Sequence, residues 1–306
     1  MLISSLLLDR IRQLIATPSV SSVSPQFDQS NRPVVELLAG WLEDAGFAVR
    51  IEALPGQSEK ANLIATLGQG AGGLVLAGHT DTVPFDAGRW RFDPFGGEVV
   101  DGRIYGLGTA DMKSFLALAL EAAQTFAAKS LRQPLVILAT ADEESNMCGA
   151  RTLAMTGQAL GRHAVIGEPT GLKPVRMHKG ILMEAIRLQG RSGHSSNPAL
   201  GVSALEGMYQ VIGELLRWRA ELQARYRNPL FEVEVPTLNL GHIHGGDNPN
   251  RICANCELHI DIRPLPGMPL ADLRDALHER LDRLLVDSAL KLDFVPLFEG
   301  VEALET

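Results

Sequence analysis

A short apolar run that ends in two residue types suited to metal binding places the strongest constraint on the fold. Residues 74–81 read L-V-L-A-G-H-T-D, and the first five are apolar or small, which is typical of a short buried strand. Side chains two positions apart in an extended segment face the same way, so His79 and Asp81 can reach one point in space. One of them could bind a metal ion while the other orients it. The alternative is a turn in which both residues are simply polar.

The same pattern recurs downstream, which favours the metal interpretation. Residues 135–141 read L-V-I-L-A-T-A and are followed by D-E-E, and residues 164–167 read A-V-I-G and are followed by Glu168. Asp111 stands where a helix is predicted to begin, a position that an acidic residue also favours as a helix cap. Strands that alternate with long helices indicate an α/β fold with a mostly parallel sheet, in which sites gather at the carboxyl ends of the strands. The candidate residues are therefore His79, Asp81, Asp111, Glu143, Glu144 and Glu168.

Periodicity divides the chain into a first domain and an inserted one. Helical spacing predicts helices over 6–15, 33–45, 112–128, 199–225 and 270–285. Apolar runs and alternation predict strands over 47–54, 62–67, 74–78, 135–141, 164–167, 180–188, 237–240 and 252–262. A last strand over 290–295 is expected to return to the first domain. The prediction is a first domain made of residues 1–177 and 289–306, interrupted over 178–288 by an α+β, ferredoxin-like domain with two helices on one face.

Composition limits the class of partner. The net charge is −8, which argues against a nucleic-acid or membrane-surface role. No apolar run approaches the roughly 20 residues that cross a bilayer. The cysteines are Cys148, Cys253 and Cys256, an odd and low number that suggests a reducing compartment, and we predict a cytoplasmic protein. Cys253 and Cys256 form a single C-x-x-C without a second pair, which favours a structural role over zinc or redox chemistry.

The candidate residues suit a pair of divalent metal ions. Mixed imidazole and carboxylate ligands favour zinc, with cobalt or manganese as substitutes. The set holds more carboxylates than one ion needs, whereas two ions bridged by one carboxylate would use them, and Asp111 is the natural bridge. The side chains of Glu143 and Glu144 are expected to diverge, so that one binds metal while the other stays free as a general base. Each acid alone is equally explained as a surface charge, and only the joint pattern favours metal.

Four motifs resemble those of a known enzyme family. H-T-D-T-V-P at His79, G-T-A-D-M-K at Asp111, D-E-E at Glu143 and G-E-P-T at Glu168 are similar to the di-zinc amidohydrolases and metallopeptidases. That family includes acetylornithine deacetylases, succinyl-diaminopimelate desuccinylases, aminoacylases and glutamate carboxypeptidases. The resemblance covers nearly the whole chain, and R-S-G-H-S-S-N-P and N-R-I-C-A-N-C-E look most like the acetylornithine deacetylase branch.

The resemblance implies roles for the metal-site residues. The first domain would be a zinc-peptidase-like catalytic domain that holds two zinc or cobalt ions. His79 would bind one ion and Glu168 would complete its ligands, Asp111 would bridge, and Glu144 would bind the second ion. Asp81 would orient His79, and Glu143 would take a proton from the attacking water and pass it to the leaving amine.

The resemblance also implies roles in the inserted domain. His194 would stabilise the oxyanion in the active site of a partner subunit, so residues 178–288 would form a homodimer. Candidates to bind the carboxylate of a small N-acyl amino acid are Asn250, Arg251 and Arg263, because a guanidinium binds a carboxylate through two hydrogen bonds. Either arginine could instead belong to a structural ion pair.

The implied activity is removal of the acetyl group from N2-acetyl-L-ornithine, in arginine biosynthesis. The alternatives are hydrolysis of another N-acyl amino acid or a dipeptide, as in succinyl-diaminopimelate desuccinylases, or an inactive, shortened dimerisation module. One departure from the family bears on this choice. The family's last metal-binding histidine lies beyond the region matched here, and no histidine follows His278. The catalytic domain is therefore expected to lack its C-terminal part and one ligand of the second ion.

Overall fold

A computed structural model describes residues 4–22, 24–126 and 131–306. The chain divides into two compact units, Met1–Leu172 and Lys173–Thr306. Positions 127 and 128 of the helix predicted over 112–128 lie outside the described residues. In the described part of the chain, no helix has the length and hydropathy that crossing a bilayer requires.

The first unit is built on a mixed five-stranded sheet. Its elements are α1 (Ser5–Ile15), α2 (Arg32–Asp44), β1 (Ala48–Leu54), β2 (Gln57–Leu67), β3 (Leu74–His79), β4 (Glu98–Val100), β5 (Arg103–Tyr105), α3 (Lys113–Gln124), β6 (Leu135–Thr140), α4 (Cys148–Thr156) and β7 (His163–Ile166). The strand order is β1-β2-β6-β3-β7, and β3 pairs in parallel with both β6 and β7. Only β2 runs against the other four, because it pairs antiparallel with β1 and β6. The predicted α/β class with a mostly parallel sheet is confirmed.

Alternation along the central strands explains why both faces of this sheet carry apolar side chains. Ile137 of β6 belongs to the larger core, which α1, α2 and α3 complete, whereas the adjacent Val136 belongs to a smaller cluster on the other face. That smaller cluster packs against Leu153 of α4 and against Leu160. A strand buried on both faces reads as the near-continuous apolar run seen in the sequence.

Parallel register brings the ends of three strands together. His79 is paired with Thr140, so the D-E-E segment that leaves β6 emerges beside His79. Ala77 is paired with Ile166, and the N–H of Gly167 donates to the Ala77 carbonyl at 3.1 Å. The sheet therefore delivers the acids that follow β6 and β7 to the end of β3.

The second unit is an antiparallel sheet covered by two helices on one face. It contains β8 (Met177–His178), β9 (Ile181–Gln189), α5 (Ala204–Arg225), β10 (Thr237–Gly245), β11 (Asn255–Arg263), α6 (Leu270–Leu285), β12 (Lys291–Val301) and β13 (Leu304–Glu305). The four-stranded order is β10-β11-β9-β12, and β13 pairs with β8. Buried residues of α5, α6 and the sheet form one core, which matches the predicted α+β arrangement.

The strand predicted over 290–295 exists as β12, but its assignment to the first domain was wrong. β12 pairs antiparallel with β9 of the second unit. Leu290, Leu292 and Phe294 pack against the second unit's core, so their alternation fits that sheet. Residues 289–306 therefore lie in the second unit. The sequence analysis also missed α4 and the β4–β5 hairpin.

The close approach of α4 to the end of β6 gives a stability prediction. A Cβ at Gly149 would lie 2.4 Å from the Ala141 carbonyl oxygen, whereas one at Gly40 in α2 would meet nothing within 4 Å. We expect Gly149→Ala to lower the free energy of unfolding by about 1–3 kcal/mol through overpacking. Gly40→Ala, the matched control, should raise it by up to about 1 kcal/mol through helix propensity. Urea denaturation measures both, and a Gly149→Ala protein as stable as the wild type would contradict the packing described.

Candidate metal centre

His79 is buried at the end of β3 and presents one ring nitrogen to a group of acids. Only 2% of the surface of His79 is exposed to solvent. Nδ1 lies 2.9 Å from the backbone oxygen of Asp81, and since a carbonyl can only accept, Nδ1 carries the proton. Nε2 faces outward, 3.1 Å from Asp111 Oδ1 and 4.0 Å from Glu168 Oε1. With Nδ1 bound to the backbone, Nε2 is the ring nitrogen that a metal ion could use.

Four acids share this imidazole in two groups. His79, Glu143 and Glu144 form one group, and His79, Asp111 and Glu168 form the other, with the ligand atoms of each group within 4.8 Å of one another. His79 ends β3, and the acids come from the segments after β6 and β7 and before α3. The structure thus brings together the metal-site candidates that the sequence analysis singled out.

Asp111 faces His79 and does not cap the following helix. The N-cap position of α3 is Met112, and no side chain caps the helix there. The Asp111 carboxylate instead lies at 3.1 Å from His79 Nε2. The alternative interpretation of this residue as a helix cap is therefore not what the structure shows.

Glu143 and Glu144 both reach His79, although neighbouring side chains were expected to diverge. The backbone turns immediately before them, where Asp142 has a φ of 55°. Left-handed backbone is uncommon outside glycine, although aspartate tolerates it better than most residues. The turn leaves both glutamates in one group with His79.

Asp81 links His79 to the segment of the two glutamates. It is fully buried, its Oδ2 accepts the N–H of Glu144 at 3.0 Å, and its Oδ1 lies 3.6 Å from His79 Nδ1. Oδ1 has no hydrogen-bond partner among the described residues. A buried carboxylate oxygen without a donor is costly unless positive charge lies nearby.

The cluster carries more negative than positive charge. Burial, together with the negative charge of Asp111, raises the pKa of Glu144 to about 7, while His79 opposes the shift. Burial likewise raises the pKa of Glu168 to about 7 against the opposing effect of His79. Burial alone would lower the pKa of His79, but Asp81, Glu143 and Glu168 outweigh it and raise that pKa. Divalent cations bound by these imidazole and carboxylate groups would relieve the repulsion, so the residues fit divalent metal ions.

A buried lysine that was not predicted from the sequence lies near Asp81. Lys113 is fully buried at the start of α3, and its Nζ donates to the carbonyls of Leu14 at 3.2 Å and Thr17 at 2.7 Å. Burial lowers the pKa of Lys113 to about 8, with Asp81 opposing. Its signal was a charged residue that opens an otherwise apolar helix, M-K-S-F-L-A-L-A-L.

In the second unit, strand-like pairing places His194 beside Arg251. The two residues form an isolated antiparallel bridge, and the N–H of Ser195 donates to the Asn250 carbonyl at 3.0 Å. His194 Nδ1 lies 2.8 Å from Ser196 Oγ. These three candidate residues, His194, Asn250 and Arg251, are thus neighbours within one loop region.

Both candidate arginines of the second unit have acidic partners. Arg251 donates to Asp247 Oδ2 at 2.6 Å and to Ser192 Oγ at 2.9 Å. Arg263 Nε donates to the carboxylate of Asp261 at 2.9 and 3.0 Å. The alternative of a structural ion pair therefore describes Arg263 in this structure, whereas Arg251 also lies next to His194.

Two family models match the chain. The peptidase dimerisation domain, M20_dimer, matches residues 176–289, and peptidase family M28 matches residues 62–167. The first match ends within two residues of the predicted inserted domain, 178–288, at both of its boundaries. The second contains His79, Asp111, Glu143 and Glu144.

Solved peptidase structures share the fold. Human carnosine dipeptidase 1 is 17% identical with a TM-score of 0.68, over 98% of this chain and 78% of that one. A metallo-carboxypeptidase of the M20 family from Sulfolobus solfataricus is 17% identical with a TM-score of 0.73, over 95% and 78% of the two chains. A dinuclear metal-binding M20 peptidase from Bacillus subtilis is 16% identical with a TM-score of 0.63, over 97% and 75%. The chain thus shares the fold of M20 peptidases, with an α/β unit followed along the chain by a unit that matches the dimerisation-domain model.

Proposed function

We propose that this chain is a metal-dependent amide hydrolase whose His79 cluster holds two divalent ions, zinc or cobalt. The observation that carries the proposal is the convergence of four acids on one buried imidazole whose Nδ1 is held by the backbone. Support comes from the Bacillus subtilis relative, whose structure is described as a dinuclear metal-binding peptidase. Four carboxylates in two groups are more ligands than one ion needs, which suits a two-ion site.

The proposed ligand roles follow the two groups. His79 and Glu168 would hold one ion, Glu144 would hold the other, and Asp111 would serve as the shared ligand. When bound, such ions polarise an acyl carbonyl and lower the pKa of water toward neutrality. Asp81 positions this assembly, because it lies beside His79 and also accepts the backbone N–H of Glu144.

Glu143 is the proposed general base. Its carboxylate belongs to the group of His79 and Glu144, and it is half-buried. With Glu144 assigned to metal, Glu143 accepts a proton from the attacking water and delivers it to the amine that leaves the cleaved amide. A positioned acid or base of this kind contributes about 10²–10⁴-fold to a rate.

The proposed substrate is N2-acetyl-L-ornithine, which the motifs at Glu168, His194 and Asn250 favour. The proposed products are L-ornithine and acetate, in arginine biosynthesis. A second candidate, hydrolysis of a dipeptide or another N-acyl amino acid, is favoured by the likeness to peptidases such as human carnosine dipeptidase 1. Arg251 is the proposed partner of the substrate carboxylate.

The proposed assembly is a homodimer formed by the second unit. The match of residues 176–289 to a peptidase dimerisation domain supports it. His194 is proposed to reach the active site of the partner subunit and to stabilise the oxyanion there. The proposed compartment is the cytoplasm, which fits three cysteines that form no disulfide in the part of the chain the structure describes.

Replacing the proposed base tests the chemistry. We expect Glu143→Ala to lower kcat by about 10²–10⁴-fold, because proton transfer loses its carrier, while bound metal stays near the wild-type amount. Turnover of an N-acyl amino acid and metal content by atomic emission are measured together. Glu98→Ala, at an exposed position of β4, is the control and should leave both unchanged. Undiminished turnover in Glu143→Ala would refute its role as base.

A substrate panel separates the two candidate activities. The zinc-loaded and cobalt-loaded protein is assayed with N2-acetyl-L-ornithine, N-succinyl-diaminopimelate, other N-acetyl amino acids and dipeptides. We expect the largest kcat/KM for N2-acetyl-L-ornithine. A larger value for a dipeptide or another N-acyl amino acid would select the second candidate. If the metal-loaded chain hydrolyses no amide, the hydrolase proposal is contradicted. The remaining alternative is then an inactive dimerisation module.

A further inference from the structure

The loop that carries Glu143 and Glu144 rests on a buried ion pair to which the proposed reaction assigns no task. Asp142 and Lys60 are each 3% exposed. Lys60, on β2, donates from Nζ to Asp142 Oδ1 at 2.7 Å and to Asp28 Oδ1 at 2.8 Å. Lys60 thereby joins β2 to the segment that leaves β6.

Asp142 is also held by two uncharged donors. Ser21 Oγ donates to Oδ1 at 3.0 Å, and Cys148 Sγ donates to Oδ2 at 3.3 Å. Burial and the neighbouring Asp142 raise the pKa of Cys148 to about 12, which keeps the thiol protonated. Both carboxylate oxygens of Asp142 are thus occupied, which fixes the side chain in one orientation.

The backbone around Asp142 is closed into a tight turn. Its φ is 55°, and its carbonyl accepts the N–H of Met147 at 2.7 Å. At the far side of the pair of glutamates, the N–H of Glu144 donates to Asp81 at 3.0 Å. The short segment with the two glutamates is therefore held at one end by Lys60 and at the other by Asp81.

We propose that Lys60 and Asp142 are positioning residues whose ion pair sets the turn that aims the carboxylates of Glu143 and Glu144 at His79. The proposal rests on the proposed function in one respect, that these carboxylates serve a metal centre. It explains why two adjacent side chains share one group with His79, which side-chain direction alone does not give.

A purely structural ion pair would have a different signature from a positioning one. Removing one partner of a buried pair leaves an unpaired charge and destabilises the fold, whereas removing both restores much of the stability. Metal affinity should follow stability if the pair is only structural. If the pair positions the glutamates, the double variant should recover stability and still bind metal poorly.

The experiment compares Lys60→Met, Asp142→Asn and the Lys60→Met/Asp142→Asn double variant with the full wild-type chain. Cobalt(II) is titrated into metal-free protein by calorimetry, and the visible absorption spectrum of the bound ion reports its coordination. Thermal unfolding and the split between kcat and KM are measured in parallel. Glu121→Gln is the control, since it removes the partly buried pair of Arg10 and Glu121 between α1 and α3.

The double variant leaves Asp28 without its lysine, but that side chain is 32% exposed and can be solvated. We therefore expect the double variant to recover most of the unfolding temperature lost in the single variants, with at least tenfold weaker cobalt binding, an altered spectrum and a lower kcat at similar KM. The control should keep wild-type cobalt affinity within twofold. A stable double variant with wild-type affinity and spectrum would overturn the positioning role while leaving the hydrolase intact. Conversely, wild-type protein that binds cobalt in an Asp142-dependent way but hydrolyses no amide would retain the positioning role and refute the hydrolase. No cobalt bound by the wild type would overturn both.

Discussion

The parallel pairing of β3 with β6 and β7 is the constraint on which the rest of the first unit depends. Because His79 is paired with Thr140, and Ala77 with Ile166, the chain leaves three strands at one edge of the sheet. A slip of one residue would turn every side chain of β3 to the opposite face and would take His79 away from the acids. The apolar packing that fixes this register therefore also fixes the site.

That edge concentrates negative charge, and the structure meets the resulting repulsion in specific ways. The raised pKa values of Glu144 and Glu168 follow from burial beside other carboxylates. The N–H of Glu144 supports Asp81, and Lys60 neutralises Asp142 beneath the same loop. These contacts do not compensate the negative charge of the carboxylates around the imidazole. This is the charge that a pair of divalent cations would balance, which links packing of the sheet to the proposed hydrolysis.

Much of this arrangement could be predicted from the sequence, because apolar runs that end in acids show both the strands and the edge at which they meet. The helix over 270–285 is present with the same bounds. Alternation could not assign the strand at 290–295 to its sheet, since a period of two identifies a buried face without identifying its partner. The orientation of Glu143 and Glu144 toward His79 follows from the left-handed backbone of Asp142. The spacing of residues in the sequence does not predict that backbone angle. Lys60 was not predicted, because it precedes the strand predicted over 62–67 and only tertiary contacts bury it.

The most direct test of the central claim is the number of divalent ions that each chain binds. Metal-free protein is loaded with Zn²⁺ or Co²⁺, freed of excess ion and measured by native mass spectrometry. The account predicts about two ions per chain. His79→Ala removes the imidazole proposed to bind one of the two ions, and the number should then fall to about one or fewer. A count near zero for the wild type, or full binding that survives His79→Ala, would contradict a paired metal centre at this edge of the sheet.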